Sequence, residues 1–359
     1  MNKELLIKKI KWLQLIRTPG IGPIKFWKLL RQFDTVDQAV ASLRGVVSQK
    51  SAEEELEKHY KKSIHLIAAF ENEFPKRLKR LADCPPFISV RGQVSLLNKP
   101  NLAIVGARNA SLGGKKLAYE FANDLGKMGF SIVSGLARGI DKAAHQGSLS
   151  TGTVAVLAGG VDCIYPPEHE KLYDEIIEKG AVISEMPLNV SPAAPLFPRR
   201  NRLIAALSQG VIVIEAAKNS GSLITADCAL ELGIDVFAVP GSPLDPRCLG
   251  SNSLLKQGAI FVESAADILE SLGCQRRLSA KDTVSTNQNL SKPNLKEDGE
   301  DLKQRILNDL SQTPIYIEEL VQHYECSSPQ LFSVLFELEL SGDVQRHPGS
   351  LFSLSPPKK

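Results

Sequence analysis

The sequence predicts an α/β fold with a Rossmann-like, doubly wound and mostly parallel sheet at its centre. From residue 101 onward, short apolar runs alternate with helical patterns, as in successive βαβ units. The runs are continuous Val, Ile and Ala, which indicates strands covered on both faces and ligands bound beyond their carboxyl ends. The predicted strands are 102–106, 130–134, 153–159, 181–185, 211–216, 235–241 and 259–263, and the predicted helices are 115–127, 168–179, 203–208 and 223–232.

Residues 1–72 are predicted to form an N-terminal helical module, with helical patterns up to about residue 70. The turn TPGIGP at 18–23 separates two amphipathic stretches. This arrangement is typical of a helix-hairpin-helix or SAM-like module, whose turn presents backbone N–H groups to a phosphate, but it also fits an ordinary helical hairpin. The first 16 residues are interrupted by charges, so we interpret them as an amphipathic helix rather than a signal peptide or membrane span.

Composition limits the class of protein further. With 359 residues, of which 43% are apolar, the chain can bury a sizeable core and form two or three units. Its formal charge of +3 diagnoses nothing by itself, and its six cysteines show no CxxC or Cys/His spacing. We therefore expect a cytoplasmic protein with no disulfide framework, no metal, no cofactor and no membrane segment.

The C-terminal part is predicted to be a winged-helix-like module, residues 301–359, behind a flexible linker at 275–300 that lacks aromatic residues. Its third helix, 330–340, carries two glutamates and no basic residue, which suits a protein contact better than a DNA groove. Two short strands are expected around Pro348 and Gly349. The start signals of the three helices stand at Asp301, Thr313 and Ser327 or Ser328.

Residues 73–274 are predicted to form the sheet domain. The turn after its second predicted strand has the composition of an anion-binding loop. In the sequence SGLARGIDKAAH it contains Ser134, Gly135, Arg138 and Gly139. The glycines allow positive φ and close backbone approach, a helix beginning near Ile140 offers unpaired N–H groups, and the arginine adds a fixed charge. The alternative is a tight connection that touches no ligand.

The first strand-to-helix turn argues against a dinucleotide cofactor. After Gly106, the GxGxxG fingerprint requires its second glycine at the position that Arg108 occupies. It also requires an acidic residue at the end of the next strand, where this chain has Ser134. NAD or FAD binding is therefore not expected. The arginine would instead face phosphates as a bidentate donor, unless it forms a surface ion pair.

The densest positive cluster of the sheet domain is Arg199, Arg200 and Arg202, which surround Asn201 at the entry to a helix. No acidic residue lies nearby in the sequence to neutralise it, and we expect its side chains to be exposed. Arginine both hydrogen-bonds phosphates and stacks on bases, so the cluster favours single-stranded nucleic acid over the alternative of a solvated charged face.

Further along, Ser220, Gly221 and Ser222 form a small-residue turn before another helix, and their hydroxyls can cap that helix or donate to a phosphate. Capping is the commoner role. Glu185 and Glu215 end two strands; we favour a role in holding the arginines over a catalytic carboxylate pair. Neither GxSxG nor HExxH occurs, so we expect a protein that is not an enzyme.

Six motifs in this order resemble the DprA family, also called Smf: GAR, SGLARGIDKAAH, TVAVLAGGVDCIYPPEH, FPRRNRLIAALS, SGSLITADCALELG and VFAVPGS. The resemblance implies a homodimer, formed through the Rossmann domain, that binds single-stranded DNA without sequence specificity. It also implies loading of RecA recombinase onto that DNA in natural transformation, past single-strand-binding protein. The DNA contacts it implies are Gly106, Arg108, Ser134, Gly135, Arg138, Gly139, Arg199, Arg200, Asn201 and Arg202, with Ser220, Gly221 and Ser222 nearby.

The sequence departs from the DprA pattern at one place, and one other function class remains an alternative. The family often has an arginine before the VFAVPG strand, where this chain has 233–235, Gly-Ile-Asp. The alternative is a LOG-type nucleotide phosphoribohydrolase, or a small-nucleotide sensor of the same fold. That enzyme class shows PGGxGTxxE, whereas this chain has NSGSLITAD at the comparable place and lacks the double glycine and the acid.

Overall fold

The computed structural model describes residues 3–273, 299–324 and 326–355. Four helices open the chain: α1 (Lys3–Arg17), α2 (Pro23–Gln32), α3 (Val36–Ala41) and α4 (Gln49–Lys61). Pro23 occupies the first turn of α2, where it loses no helical hydrogen bond, and the Thr35 side chain caps α3. The helical prediction is wrong at its end, because residues 65–68 form the first strand of the sheet.

The central sheet has nine strands, and its doubly wound, mostly parallel character is confirmed. The strand order is β1-β2-β6-β5-β4-β3-β7-β8-β9, and β3 to β9 all run parallel. The hairpin of β1 and β2 joins the edge of β6 antiparallel, an extension that sequence analysis missed. The strands are β1 (His65–Ala68), β2 (Phe87–Gly92), β3 (Asn101–Gly106), β4 (Ser131–Ser134), β5 (Thr153–Val156), β6 (Ala181–Ser184), β7 (Gly210–Ile214), β8 (Asp235–Ala238) and β9 (Ile260–Phe261).

Seven helices cover the two faces of this sheet. They are α5 (Leu112–Lys127), α6 (Ile140–Ser148), α7 (Glu170–Lys179), α8 (Leu196–Leu207), α9 (Gly221–Glu231), α10 (Leu249–Lys256) and α11 (Ala265–Ser271). Alternate residues of β3 point into opposite cores: Ala103 packs with α8 and α9, and Ile104 packs with α5 and α6. Helix α8 begins seven residues before the predicted helix at 203, so the arginine cluster lies within its first turns.

The C-terminal module contains α12 (Gly299–Asp309), β10 (Ile315–Tyr316), α13 (Ile317–Tyr324), α14 (Ser328–Ser341), β11 (Val344–His347) and β12 (Leu351–Leu354). Its three strands pair in the order β10-β12-β11, which confirms the winged-helix prediction. The second helix starts at Ile317 rather than Thr313, because the two preceding residues pair with β12. The predicted linker lies outside the described residues, except that α12 already begins at 299.

Both flanking modules contact the sheet domain. The indole of Trp27 donates to the Cys84 carbonyl oxygen at 2.7 Å, which ties α2 to the segment before β2. At the other end, the guanidinium of Arg247 donates to the carbonyl oxygen of Leu310 at 2.7 Å, and Lys115 contacts Asp309 at 2.7 Å. Within the described ranges, every helix is too short or too polar to cross a membrane.

Candidate nucleic-acid interface

A pocket of about 470 Å³, counting its open mouth, lies beyond the carboxyl ends of β3, β4 and β5. This is the edge at which a doubly wound sheet binds ligands. Its wall is completed by the first turns of α8 and by the loop before α7. We call it the Phe197 pocket, and its lining includes Arg108, Arg138, Tyr165, Phe197 and Arg200.

Arg200 lies in the wall of the Phe197 pocket and, contrary to expectation, is only 6% exposed. Because α8 begins at residue 196, Arg200 falls on the face of the helix that turns toward the sheet. Burial lowers the pKa of its guanidinium to about 10, although the nearby Asp141 opposes the change, so the group is charged at neutral pH. Among the described residues it forms no hydrogen bond or ion pair. A buried charge without a hydrogen-bond acceptor is costly, unless a ligand supplies that acceptor.

Arg108 and Arg200 meet at one aromatic ring. Their guanidinium carbons lie 5.3 and 6.0 Å from the ring centroid of Phe197. Arg108 is exposed and forms no ion pair with another described residue. The alternative that it forms a surface ion pair is therefore not supported among these residues. Tyr165, 45% exposed, lies against the same ring with centroids 5.7 Å apart. Cations and partly exposed rings together favour the phosphates and bases of a single strand.

The predicted anion-binding turn is filled by the chain's own carboxylate. Asp141 Oδ2 accepts from the backbone N–H groups of Gly135, at 3.0 Å, and Ala137, at 3.4 Å. The N–H of Ile140 donates to the Ala107 carbonyl oxygen at 3.2 Å. The expectation of unpaired N–H groups in the first turn of this helix is therefore wrong for Ile140. Burial raises the pKa of Asp141, while Arg200 and the two donors oppose that rise.

The small residues of the two turns shape the backbone. Gly139 has a φ of +73°, and a Cβ there would lie 2.2 Å from the Ala107 carbonyl oxygen. A Cβ on Gly106 would lie 1.9 Å from the carbonyl oxygen of Ile214 on the neighbouring strand. Ser134 is fully buried and donates to the Ile104 carbonyl oxygen at 2.7 Å, so its hydroxyl does not reach the pocket.

The remaining arginines are neutralised, which corrects the expectation of a cluster without acidic neighbours. Arg202 pairs with the buried Glu185 and lies 3.1 Å from Asp83. Arg199 lies 3.5 Å from Glu185, and Arg138 pairs with Glu168 on the surface. The preferred interpretation of Glu185, that it holds arginines, is confirmed.

The same interpretation is wrong for the other strand-end carboxylate. Glu215 accepts from the backbone N–H of Ser111 at 2.8 Å and also contacts its hydroxyl. The turn at 220–222 serves α9 as its cap, since the Ser220 hydroxyl accepts from the Ser222 N–H at 3.3 Å. Asn201 joins this turn to α8 by donating to the Gly221 carbonyl oxygen at 3.0 Å.

Comparison with known proteins identifies the family. Residues 65–273 match the family model described as DNA recombination-mediator protein A. The chain belongs to this family. The flanking parts match the DprA-like N-terminal HHH domain at 7–62 and the DprA winged helix domain at 291–350.

Individual DprA relatives agree with this assignment. Protein Smf of Escherichia coli K12 is 45% identical over 211 residues, which cover 58% of this chain but only 56% of that protein. The crystal structure of DprA from Streptococcus pneumoniae superposes with a TM-score of 0.63 at 35% identity, over 74% of this chain and 96% of that one. DNA processing protein A of Helicobacter pylori is described for its single-stranded DNA binding mode. It superposes with a TM-score of 0.54 at 31% identity, over 58% of this chain and 95% of that one.

Only some of the DNA contacts implied by the DprA resemblance lie in the Phe197 pocket. Gly135, Arg108, Arg138 and Arg200 line the Phe197 pocket, whereas the 220–222 turn is not part of its lining. Sequence analysis missed Tyr165 as a pocket residue. The signal was present, since an aromatic residue in a loop after a strand end is positioned to meet a ligand.

Proposed function

We propose that this protein binds single-stranded DNA in the Phe197 pocket. The observation that carries the proposal is the pair of guanidinium groups, Arg108 and Arg200, that form no hydrogen bond or ion pair with the described residues and flank one ring. A phosphate would pair with the guanidiniums and a base would stack on Phe197 or Tyr165. The single-stranded DNA binding described for the Helicobacter pylori relative supports the assignment.

The shape and charge of the protein favour a single strand over a duplex. Arg200 lies within a recessed pocket that a flexible strand with separated bases can enter. The third helix of the winged-helix module, by contrast, carries Glu337 and Glu339 and no Lys or Arg. Such a helix lacks the cations with which a recognition helix contacts a duplex backbone.

Fluorescence anisotropy with a labelled oligothymidine and a duplex of equal length, repeated over a salt series, tests the proposal. We expect the single strand to bind several-fold more tightly. We also expect log affinity to fall against log salt with a slope of roughly −0.7 for each phosphate neutralised. Equal or tighter duplex binding, or an affinity that salt does not change, would overturn it.

The finer part of the proposal is that the bound strand is handed to RecA by a homodimer. It rests on family membership and on the family's description as a recombination mediator. The test is RecA filament formation on DNA coated with single-strand-binding protein, with and without this protein. Acceleration that disappears in Arg108→Ala supports the proposal, and an unchanged rate with the wild-type chain contradicts it.

A nucleotide-release assay distinguishes the alternative enzyme class. Incubation with AMP or a cytokinin nucleotide is expected to leave the glycosidic bond intact. Release of the free base at a rate that depends on the pocket residues would favour a phosphoribohydrolase and count against a DNA-binding pocket.

A further inference from the structure

A second groove lies between the N-terminal helices and the segment before β2. Its empty volume is about 960 Å³, its open mouth included. Trp27, Phe70 and Leu81 contribute apolar surface, and Trp12 lies beneath them, 5% exposed. We call it the Trp27 groove. It is separate from the Phe197 pocket, since the two share no lining residue.

The rim of the Trp27 groove is positively charged. Arg31, Lys79 and Arg80 line it, and Lys8 stands 4.6 Å from the ring centroid of Phe70. All four side chains are exposed, and none forms an ion pair with another described residue. Nearby acids are already engaged: Glu71 pairs with Lys9, and Asp83 with Arg202. The groove therefore presents uncompensated positive charge to an anionic ligand.

The aromatic floor is held rigidly. Trp12 meets Phe26, Trp27 and Phe70 edge to face, with centroids 4.8 to 5.5 Å apart. The Trp27 indole N–H is fixed by the Cys84 carbonyl oxygen at 2.7 Å, which leaves the partly exposed ring in one orientation. A fixed ring beside cations suits a ligand with flat bases and phosphates more closely than a peptide.

The groove adjoins the helix that carries the first pocket. Asp83, between two residues of the groove wall, contacts Arg202 on α8, and Phe197 lies five residues earlier on that helix. Five helical residues rise only about 7.5 Å. A strand that leaves the Phe197 pocket along α8 therefore runs toward the groove.

We propose that the Trp27 groove is a second contact for the same single strand, binding its phosphates through Arg31, Lys79 and Arg80 and one base against Trp27. The inference rests on the proposed function, because it extends the strand held in the Phe197 pocket. It assigns the N-terminal module a direct part in DNA binding through the groove rather than through the turn at 18–23.

The two tryptophans of the chain make a direct test possible, since both belong to this groove. Intrinsic tryptophan fluorescence is titrated with oligothymidines of about 5 and about 20 nucleotides, lengths that span the usual site sizes for single strands. We expect the long strand to quench the emission and the short one, which fills the Phe197 pocket, to leave it nearly unchanged.

The double variant Lys79→Ala/Arg80→Ala tests whether the cations of the groove contact the long strand. Its affinity for the long strand should fall about 25-fold at 0.1 M salt, and its salt slope by about 1.4, whereas its affinity for the short strand is kept. The control Lys127→Ala/Lys256→Ala removes the same charge from exposed positions at the ends of α5 and α10. It should bind both strands like the wild type.

The possible results separate the two proposals. A loss no larger than that of the control, or quenching by an acidic peptide but not by the long strand, overturns the groove and leaves the pocket standing. Failure of the wild type to bind either strand overturns the proposed function itself. Circular dichroism of the double variant, whose altered residues are exposed, shows that a loss of affinity does not come from unfolding.

Discussion

A Cβ atom on Gly135 would stand 1.4 Å from Nη1 of Arg200. The glycine is therefore required by the guanidinium that lies over it. Sequence analysis singled out this glycine for positive φ, but in this turn positive φ belongs to Leu136, at +55°, and to Gly139. The absence of a side chain at residue 135 leaves the space that lets a buried arginine face the Phe197 pocket.

Gly135→Ala is accordingly expected to weaken DNA binding by displacing Arg200. Loss of one phosphate contact lowers affinity for a single strand about 5-fold at 0.1 M salt. Overpacking a buried site also costs about 1–3 kcal/mol of unfolding free energy. Anisotropy and urea unfolding measure the two effects. Gly113→Ala is the control, because its Cβ would meet only the Ser111 hydroxyl, at 3.8 Å; unchanged affinity in Gly135→Ala would contradict the assignment of Arg200.

The pairing of the arginines predicts which of them matter for binding. Arg108→Ala should lower single-strand affinity about 5-fold at 0.1 M salt and reduce the salt slope by about 0.7, because it removes an uncompensated charge. Arg199→Ala should have a smaller effect, since Glu185 lies 3.5 Å from that guanidinium. Salt-dependent anisotropy of both variants measures the two losses of affinity. Equal losses would show that ion pairing does not determine which arginine contributes to binding.

Arg202 is expected to serve stability. Arg202→Ala leaves Glu185 buried without its closest cation, which costs about 3–5 kcal/mol for a broken buried pair. Burial already raises the pKa of Glu185, although Arg202 and Arg199 oppose this rise. The variant should therefore lose more unfolding free energy at neutral pH than below pH 4.5, because below 4.5 the carboxyl is protonated in the unfolded chain as well. Urea unfolding at both pH values measures this difference. Adding Glu185→Gln should restore much of the stability at neutral pH; no recovery would contradict the role assigned to the pair.

The sequence predicted the sheet from the period of its apolar runs, because strands buried on both faces leave a continuous signal. The ion pairs were not predictable, since Arg202 and Asp83 are 119 positions apart along the numbering and meet only through the antiparallel extension of the sheet. Asp141 was visible in SGLARGID, but its role depends on a bend that brings its carboxylate back to the Gly135 N–H. Local composition identified the cations; only the fold shows which of them are already neutralised.

His145 predicts how stability depends on pH. It is fully buried on α6, its Nδ1 lies 2.6 Å from the Thr153 hydroxyl, and burial lowers its pKa to about 3. Between 6.5 and about 3 the unfolded chain binds a proton that the folded chain does not, so stability falls as the pH falls through this window. Urea midpoints over the window should decline less steeply in His145→Gln than in the wild type. The exposed His65→Gln should decline like the wild type; a slope unchanged in His145→Gln would contradict the assignment.

Removal of the C-terminal module tests whether the Phe197 pocket binds DNA without that module. Its lining runs from residue 108 to 200, whereas the module contacts the sheet domain through Lys115 and Arg247. A chain that ends at Gly273 should therefore keep most of its single-strand affinity, although exposure of Leu112, which packs against the module, lowers its unfolding midpoint. Anisotropy and circular dichroism measure both properties, with Arg247→Ala in the full chain as a milder perturbation of the same interface. A truncated chain that is folded but does not bind would contradict the pocket as the primary contact, and would direct attention to Arg346 on β11, whose side chain is exposed.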